Sequence, residues 1–374
     1  MRRHFMGVLA ASALVGCSST SSTAPDAAVV HDTGAVADAG AAADRGAGDA
    51  RSADTGSKPD GSADPCALSP LRLAAEYCTK SRTTVAQVEG VGLAGQVLYT
   101  FGPKSLGKDE FEVRAATLDG SLKPGTPSVV FSFTPTGTAK RFASWFVPVS
   151  TSGVVAVGYT EEKTFAGALY LGKAGQTPTV VDKANGNFDA VWLDADTLLV
   201  AGLGVAGVGT GNAVYAVPAQ GGKTPQLLVK DLGSVSGYLA SGKDVVVVSA
   251  FDLTSHKYAF RGFSTAELKA AAAAGKSLSF SADADSVYLG NASDVTMVGD
   301  RLLVVEVDQN FKFSGVKGVT VQVSGDKVSG GAGLIPVIDV GGGVEVTRIV
   351  GDGSRFAVLM GDVQKPELAI IEKK

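Results

Sequence analysis

The sequence predicts an all-β fold made of about six repeated four-stranded units, and three observations lead to that prediction. Hydrophobic residues make up 45% of the 374 residues and charged residues only 19%, so the chain can bury a large core. The 48 glycines are typical of tight turns, and the many valine-rich runs are typical of strands. A pair of short apolar segments joined by a tight turn recurs along most of the chain, which indicates an internal repeat.

The N-terminal residues, MRRHFMGVLAASALVGC, predict an export signal over residues 1–16 that is followed by a lipidated cysteine, Cys17. Two arginines precede the apolar stretch Phe5–Gly16, which is shorter than the roughly 20 residues that a membrane-spanning helix needs. Leu14-Val15-Gly16-Cys17 resembles a bacterial lipobox. The resemblance implies acylation of Cys17 and anchoring in a membrane, and Ser18 after it implies the outer membrane of a Gram-negative type of envelope. The alternative is an ordinary secretory signal.

Residues 17–64 predict a lipidated cysteine followed by a disordered tether. Ala, Gly, Ser, Thr and Pro dominate this segment, together with eight aspartates spaced four to six residues apart. Such a composition has too little apolar surface to offset the entropy of ordering the chain. As a flexible coil the tether would span roughly 40 Å. It would hold the folded part of the protein away from the membrane.

Residues 65–84 predict a disulfide-linked helical segment. Ser69 and Pro70 are suited to a helix start, so we expect a short helix from Pro70 to Cys78. In an oxidising compartment Cys66 and Cys78 would form a disulfide, since Cys17 is assigned to the lipid. Two free thiols are the alternative.

Residues 85–374 contain the repeated units. The paired apolar segments are clearest as VWLDADTLLVAG (191–202), GYLASGKDVVVVSA (237–250), VTMVGDRLLVVEV (295–307) and TRIVGDGSRFAVLM (347–360). The second segments, marked by Val97, Val154, Leu198, Val245, Leu302 and Phe356, lie 44 to 57 residues apart. Another strand, a polar turn and an outer strand follow in several units, as in AVYAVPAQGGKTPQLLVKDL (213–232).

Four antiparallel strands in about 50 residues are the pattern of a β-propeller blade, and six markers predict six blades. The VYAVP, GGK and LL portions of residues 214–228 resemble the broad group of propellers that includes TolB-like and gluconolactonase-like domains. The resemblance implies the architecture alone. The last unit has only three strands, so we expect a segment near Ser81–Val88 to supply the fourth. A pair of β-sandwiches, or another large β-fold, is the alternative.

One insertion departs from the repeat. Within FSTAELKAAAAAGKSL (263–278), Ser264 and Glu267 have the spacing of a capping box and Gly275 is a helix stop, so we expect a short helix. This helix would either decorate the surface or form a lip over one end of the ring.

Few residues have the spacing of a chemical motif. Gly202–Gly207 matches G-x-G-x-x-G, but the residues after it predict a strand and not the helix of a dinucleotide site. Gly275-Lys276-Ser277 lacks the first glycine of a P-loop. His256 has no second histidine in the predicted domain, so we expect a surface side chain. The turn residues Asp194, Asp196, Asp300 and Asp352, with Asp283, Asp285 and Asp308 nearby, are candidates for a channel or cation site, and Ca²⁺ is the ion they would hold. Aspartate is also an ordinary turn residue.

These observations predict an envelope-tethered lipoprotein whose propeller is a non-enzymatic binding or scaffold module for a protein or glycan. The alternative is a metal-dependent lactonase-like or hydrolase-like enzyme that uses carboxylates at the central channel. The net charge of −4 gives no basic patch, so a nucleic-acid partner is not expected. No catalytic residue and no organic cofactor are predicted.

Overall fold

The computed structural model describes Asp64 and residues 66–374, except residues 86, 106–109, 136–138, 206, 221–223, 234, 253–254, 281–285, 311, 332 and 362–365. The predicted signal peptide, the lipidation site at Cys17 and the tether up to residue 63 therefore lie outside the described residues and stay predictions.

Six antiparallel sheets, or blades, succeed one another along the chain, and the first three are built from consecutive strands. Blade 1 contains β3 (Gly90–Ala94), β4 (Val97–Pro103), β5 (Phe111–Thr117) and β6 (Ser128–Phe133). Blade 2 contains β7 (Arg141–Ala143), β8 (Val155–Glu161), β9 (Gly167–Gly172) and β10 (Thr179–Asp182). Blade 3 contains β11 (Asp189–Trp192), β12 (Thr197–Val205), β13 (Gly209–Pro218) and β14 (Gln226–Lys230).

The last three blades follow the same plan with additions at their outer edges. Blade 4 contains β15 (Val235–Ser241), β16 (Val245–Asp252), β17 (Lys257–Ser264) and β19 (Ser286–Gly290). Blade 5 contains β20 (Ala292–Val298), β21 (Arg301–Val307), β22 (Phe313–Ser324) and β24 (Ile335–Asp339), with β23 (Lys327–Gly330) paired to β22 and β1 (Arg72–Leu73) paired to β24. Blade 6 contains β25 (Val346–Asp352), β26 (Arg355–Met360), β27 (Glu367–Lys373) and β2 (Tyr77–Thr84). The prediction of a six-bladed β-propeller is confirmed.

Each blade packs both of its faces against neighbouring blades. Val245–Val248 in β16 are all buried, but their side chains divide between two cores. Val246 and Val248 belong to the core shared with blade 3, while Val245 and Val247 belong to the core shared with blade 5. Because successive side chains on a strand point to opposite faces, a strand covered on both faces must be apolar throughout. This explains the continuous apolar runs in the sequence.

Six hydrophobic clusters lie between the blades, one for each neighbouring pair including the pair of blade 6 and blade 1. In the last of these, Leu359 and Ile370 of blade 6 pack with Leu93 and Leu98 of blade 1. The ring is therefore closed by apolar burial as well as by hydrogen bonds, as expected when single sheets hide their faces by radial stacking.

Strand β2 completes blade 6. It pairs antiparallel with β27 from Tyr77, opposite Lys373, to Thr84, opposite Glu367. Arg82 forms two hydrogen bonds with the Glu367 carboxylate, both 2.7 Å long. The prediction that an N-terminal segment supplies this strand is confirmed, although the strand begins at Tyr77 and not near Ser81.

The predicted helix from Pro70 to Cys78 is wrong. Arg72 and Leu73 form β1 on the edge of blade 5, and the chain then enters β2. The Ser69–Pro70 peptide bond is cis. The apolar side chains of this segment, Leu68, Leu71 and Tyr77, are buried in the core between blades 5 and 6. The open edges of blades 5 and 6 provide hydrogen-bond partners for the backbone of this segment, and the core between them buries its apolar side chains. These tertiary interactions outweigh the local helix signals.

The Cys66–Cys78 disulfide is formed, as predicted. The two cysteines are 12 positions apart in the sequence. We expect the double variant Cys66→Ser/Cys78→Ser to lose about 2–3 kcal/mol in free energy of unfolding, because the disulfide closes a loop of this length in the unfolded chain. Denaturant unfolding of the full chain measures the loss. Adding a reductant should lower the stability of the native chain equally and leave the variant unchanged; an equal response of both proteins would contradict the prediction.

The described residues contain a single helix, α1 (Thr265–Ala273), at the predicted insertion. Ser264 caps it by accepting a hydrogen bond from the Glu267 amide, 3.0 Å away, and Gly275 follows with a φ of 62°. Leu268 is buried in the core between blades 3 and 4. The chain then forms β18 (Leu278–Ser279), which pairs parallel with β14 of blade 3. The insertion therefore joins two blades. No helix among the described residues has the length and apolar character needed to cross a bilayer.

Candidate functional site at the ring axis

The first strands of the six blades surround a cavity of about 160 Å³. Every blade contributes to its wall, and the contributing residues begin with Val91 in blade 1 and end with Gly351 in blade 6. We call this space the axial cavity.

Glycine allows these first strands to approach one another closely. A β carbon at Gly351 would overlap the carbonyl oxygen of Met297 on the neighbouring first strand. A β carbon at Gly92 would likewise overlap the carbonyl oxygen of Val147. Residues of any other type would push the strands apart and widen the ring at these two places.

Each blade has a charged or large aromatic side chain in its first strand or in the residues beside that strand. Five of them line the axial cavity and the sixth immediately precedes β3. In chain order they are Glu89, Trp145, Asp189, Tyr238, Asp294 and Arg348. We call these six residues the axial ring.

Asp189 and Asp294 have the same construction, two blades apart. Asp189 accepts a hydrogen bond from the next amide, Ala190, and another from the amide of Leu239 in the following blade, both 2.8 Å long. Asp294 accepts from Val295, at 3.0 Å, and from Ile349 in the following blade, at 2.8 Å. Each carboxylate therefore fastens the first strand of its own blade to that of the next.

Arg348 is the cation of the axial ring, and only 7% of its surface is exposed. Its Nη1 donates to the carbonyl oxygen of Thr347 at 2.6 Å, and its guanidinium lies 4.2 Å from the ring centroid of Trp145. Its Nε is buried without a hydrogen-bond partner among the described residues. Burial lowers the pKa of Arg348, and the Asp294, Tyr238, Asp189 and Glu89 side chains oppose that shift.

Burial also shifts the acids of the axial ring. It raises the pKa of Asp189 to about 8, against the lowering effect of its two amide hydrogen bonds, and the nearby Asp294 raises it further. Asp189 borders the cavity and is half-buried by surface exposure, but it is surrounded by protein on its other sides, which accounts for the large shift. Burial likewise raises the pKa of Glu89. At neutral pH the Asp189 carboxyl therefore holds its proton.

Tyr238 adds a buried hydroxyl. Burial raises its pKa well above the usual value, and it raises that of its hydrogen-bonded neighbour Tyr258 to about 12. The two rings lie 5.2 Å apart. Both phenols are neutral at physiological pH and act only as hydrogen-bond donors or acceptors.

Trp192 is the second indole at the axial cavity. Its Nε1 is buried and has no hydrogen-bond partner among the described residues. Together, the cavity wall presents carboxyl groups, a guanidinium, a phenol and two indoles. This set can bind a polar ligand that has an apolar face.

Of the four aspartates predicted from the sequence, three lie in the turns after the first strands and Asp352 ends β25. Asp194 accepts from the amides of Asp196 and Thr197, at 3.0 and 2.8 Å. Asp352 accepts from the amide of Gly95 in blade 1 at 2.6 Å, which ties blade 6 to blade 1. Asp196 and Asp300 are exposed.

The described residues contain no group of three or more His, Cys, Asp or Glu side chains arranged to hold a metal ion. Asp308 accepts from the amides of Asn310 and Lys312 in a hairpin turn, and these bonds lower its pKa. Asp283 and Asp285 lie outside the described residues. The described residues thus form no metal-binding cluster at the acidic turns, and the cation or channel site stays a prediction.

The remaining motif residues lie in ordinary β-structure. His256 is exposed in the turn between β16 and β17, where its φ is 53°. The glycines at 202 and 204 lie within β12, and β13 follows where a dinucleotide site would need a helix.

Sequence reasoning missed the axial ring. Its members share one signal, because each lies seven to nine residues before the marker of its unit, as Asp189 does before Leu198 and Arg348 before Phe356. An alignment of the six units on one another would have shown a charged or aromatic residue near the same place in every unit.

Comparisons with known proteins add no family. No protein-family model and no curated protein matches the chain. Among solved structures, the β-propeller domain of the Trilobed protease from Pyrococcus furiosus has a TM-score of 0.40 at 10% identity, over 74% of this chain and 79% of that one. The Myceliophteria_thermophila Cps50 (Swd1) β-propeller domain has a TM-score of 0.42 at 8% identity, over 82% and 100%. Puromycin hydrolase has a TM-score of 0.42 at 12% identity, over 74% and 50%. Because these TM-scores are low, the β-propeller fold is assigned from the arrangement of the six sheets.

Proposed function

We propose that this protein is a lipid-anchored binding module of the cell envelope, which holds its partner at the axial cavity without chemical turnover. The axial ring carries the proposal. Each of the six blades contributes a charged or aromatic side chain from its first strand or from the residues beside that strand, and all but Glu89 border one cavity. Buried polar groups are costly unless they have partners, so a concave site that gathers them is the first candidate for ligand binding.

The use of the carboxylates favours binding over catalysis. Both oxygens of Asp189 and of Asp294 already accept backbone amides, which fixes these groups in the scaffold. The predicted lipid on Cys17 and the long tether suit a domain that meets a partner in the envelope.

Cross-linking in intact envelopes tests the proposal. The full-length chain should capture a partner, and Arg348→Met, which removes the cation of the axial ring, should reduce capture at least tenfold. Arg261→Met is the matched control. Arg261 also lies over an aromatic ring, Phe263 at 4.6 Å, and donates to a backbone carbonyl, but it lies on β17, away from the cavity wall. Equal capture by both variants, or no capture, would contradict the proposal.

One observation favours the hydrolytic alternative. The Asp189 carboxyl, with a pKa of about 8, can donate a proton at neutral pH, and the nearby Asp294 is the candidate base. The metal-dependent form of this alternative requires Ca²⁺ or another divalent ion to raise the thermal stability of the protein. Turnover of lactones or glycosides that Asp189→Asn abolishes would establish the enzyme and overturn the binding proposal.

A further inference from the structure

We infer that the axial cavity binds an organic ammonium group that is carried on a small apolar body. This inference rests on the proposed function and names the chemical class of its ligand. A free amine and the lysine side chain of a partner protein both present this chemistry. The charge, the aromatic wall and the size of the cavity support the inference.

The carboxyl groups of the axial ring outnumber its one guanidinium. Glu89, Asp189 and Asp294 belong to blades 1, 3 and 5, and the guanidinium belongs to blade 6. Arg348 faces all three carboxyl groups and stacks on Trp145, so it positions this wall, but it can neutralise only one carboxylate. Among the described residues that line the cavity, it is the only basic one. A cationic ligand would therefore compensate the site, whereas an anion would add to the excess.

Protons meet part of this excess in the protein alone. Burial raises the pKa of Asp189 to about 8, and the nearby Asp294 raises it further, against the lowering effects of two amide hydrogen bonds and Arg348. Burial also raises the pKa of Glu89, and it keeps the phenol of Tyr238 on blade 4 neutral. A positive charge next to Asp189 favours its ionised form. Binding of a cation would therefore break the carboxyl O–H bond and release the proton to the solvent.

An ammonium group fits this arrangement better than a metal ion. The described residues contain no group of three or more His, Cys, Asp or Glu side chains arranged to hold a metal. The three carboxyl groups belong to alternate blades, and backbone amides of the neighbouring strands fix Asp189 and Asp294 in place. A calcium ion needs six to eight oxygens that converge at about 2.4 Å. An organic cation needs no such convergence.

Aromatic side chains line the part of the cavity that belongs to blades 3 and 4. Phe188 and Trp192 lie at the two ends of β11 in blade 3, which is opposite blade 6 in a ring of six, and Tyr238 lies in blade 4. The face of an aromatic ring attracts a cation. Arg348 and Trp145, 4.2 Å apart, already show this interaction at the cavity. An ammonium group beside Asp189, with its apolar body against these rings, would repeat it.

The size of the cavity limits the apolar body to one small ring or a short chain. A water molecule needs about 10–15 Å³ in this measure, so the cavity of about 160 Å³ holds on the order of ten water-sized groups. Phenethylamine, with about ten non-hydrogen atoms, fits that capacity. Two probes of similar shape differ from it in charge, because 2-phenylethanol is neutral and 3-phenylpropionate is an anion.

Isothermal titration calorimetry of the full chain in detergent compares these three probes at pH 7. Phenethylamine should bind saturably and at least tenfold more tightly than the other two. Titrations in phosphate and in Tris, whose enthalpies of ionisation differ, count the protons released, and about one per bound amine is expected. The affinity should rise by up to about tenfold per pH unit between pH 6 and pH 8. Equal affinity for 2-phenylethanol, or binding without proton release, would overturn the inference.

A matched pair of variants connects the response to the cavity. Asp189→Asn cannot ionise, so it should weaken phenethylamine at least tenfold at pH 8 and abolish the proton release. Asp194→Asn is the control, because Asp194 also accepts two backbone amides but lies in the turn after β11 and outside the lining of the cavity. It should keep both properties. Circular dichroism checks folding, and if Asp189→Asn unfolds, the probe comparison and the proton count on the native chain decide.

A second titration distinguishes the two sources of the ammonium group. N-acetyl-lysine N-methylamide presents a lysine side chain as a polypeptide does, and N-acetyl-norleucine N-methylamide is its uncharged counterpart. Tighter binding of the lysine probe than of phenethylamine would identify a partner protein as the source, and the reverse would identify a free amine. Failure of both amines to bind more tightly than their neutral counterparts would overturn the inference.

The outcomes separate this inference from the proposed function. Envelope capture that depends on Arg348, without any preference for an ammonium group, would overturn the inference alone. Amine binding without envelope capture would retain the ligand class and contradict the proposal of an envelope partner. Chemical conversion of the bound amine would retain the ligand class and overturn the non-enzymatic function.

Discussion

Deletion of Tyr77–Thr84 is expected to abolish the cooperative thermal unfolding of the propeller. Without this strand, β27 loses its outer neighbour, remains paired only with β26, and blade 6 keeps three strands. Tyr77, which is 2% exposed and lies edge-on to Phe356 at 5.6 Å, would leave the core between blades 5 and 6. An open sheet edge would also be available for pairing with other chains, so we expect aggregation. Calorimetry and light scattering measure the two effects.

A smaller change tests the same interface when the deletion yields no protein. Tyr77→Ala should lower the free energy of unfolding by about 3–4 kcal/mol, the usual cost of removing a large buried aromatic side chain. Shortening the predicted tether by removing residues 20–60 is the control, and it should leave the melting temperature unchanged. A deletion of Tyr77–Thr84 that melts like the parent protein would show that the ring does not depend on its closing strand.

The stability of the domain should fall as the pH rises from about 4 to about 8, and Asp189 should be a main cause. Its pKa is 3.8 in the ordinary state and about 8 when folded. Between these values the folded protein holds a proton that the unfolded chain has released, so stability is highest below the lower value and decreases until the upper one is passed. At about 1.4 kcal/mol per pKa unit, this shift sets an upper limit of about 6 kcal/mol on the loss of stability. Solvent that reaches Asp189 through the cavity makes the actual loss smaller.

Denaturant unfolding across this pH range, on the native chain and on Asp189→Asn, measures the effect. The variant loses one acceptor oxygen and should be less stable at pH 4, but its stability should depend much less on pH, so the two curves converge or cross near pH 8. The raised pKa of Glu89 supplies a residual slope of the same sign. Asp308→Asn, at an exposed turn, should keep the native slope. Parallel curves for the native chain and Asp189→Asn would contradict the assignment.

Much of the fold could be predicted because its signals are local. The pattern that predicts each blade lies within about 50 residues, and the apolar run Val245–Val248 after a tight turn is an example. The capped helix α1 is likewise specified by nearby residues, namely Ser264, Glu267 and Gly275. The segment after Ser69 shows the limit of local reasoning. Its side chains fit a helix equally well, and only the open edges of blades 5 and 6, built from residues about 270 to 300 positions later, decide for strands.

The axial ring could not be assembled from the sequence for the same reason. Glu89 and Arg348 are separated by most of the domain, and no spacing rule connects them. The acidic turns were conspicuous because aspartates cluster there, but Asp194 and Asp352 are occupied by nearby amides. Asp189 and Asp294 look like isolated polar residues in apolar strands until the closure of the ring brings the blades around one axis.

The disulfide at the entrance to the domain has a mechanical consequence. If Cys17 is fixed in a membrane, any pull on the partner side is transmitted through Asp64 and reaches the body of the propeller at Cys78, since the Cys66–Cys78 bond bypasses the chain between them. Strand β1 and the other residues between the two cysteines then carry no load. After reduction of the bond the load would pass through β1, and detachment of β1 would release residues 67–76, which span roughly 35 Å when extended. A force-extension measurement with and without a reductant should resolve this lengthening before the closing strand detaches.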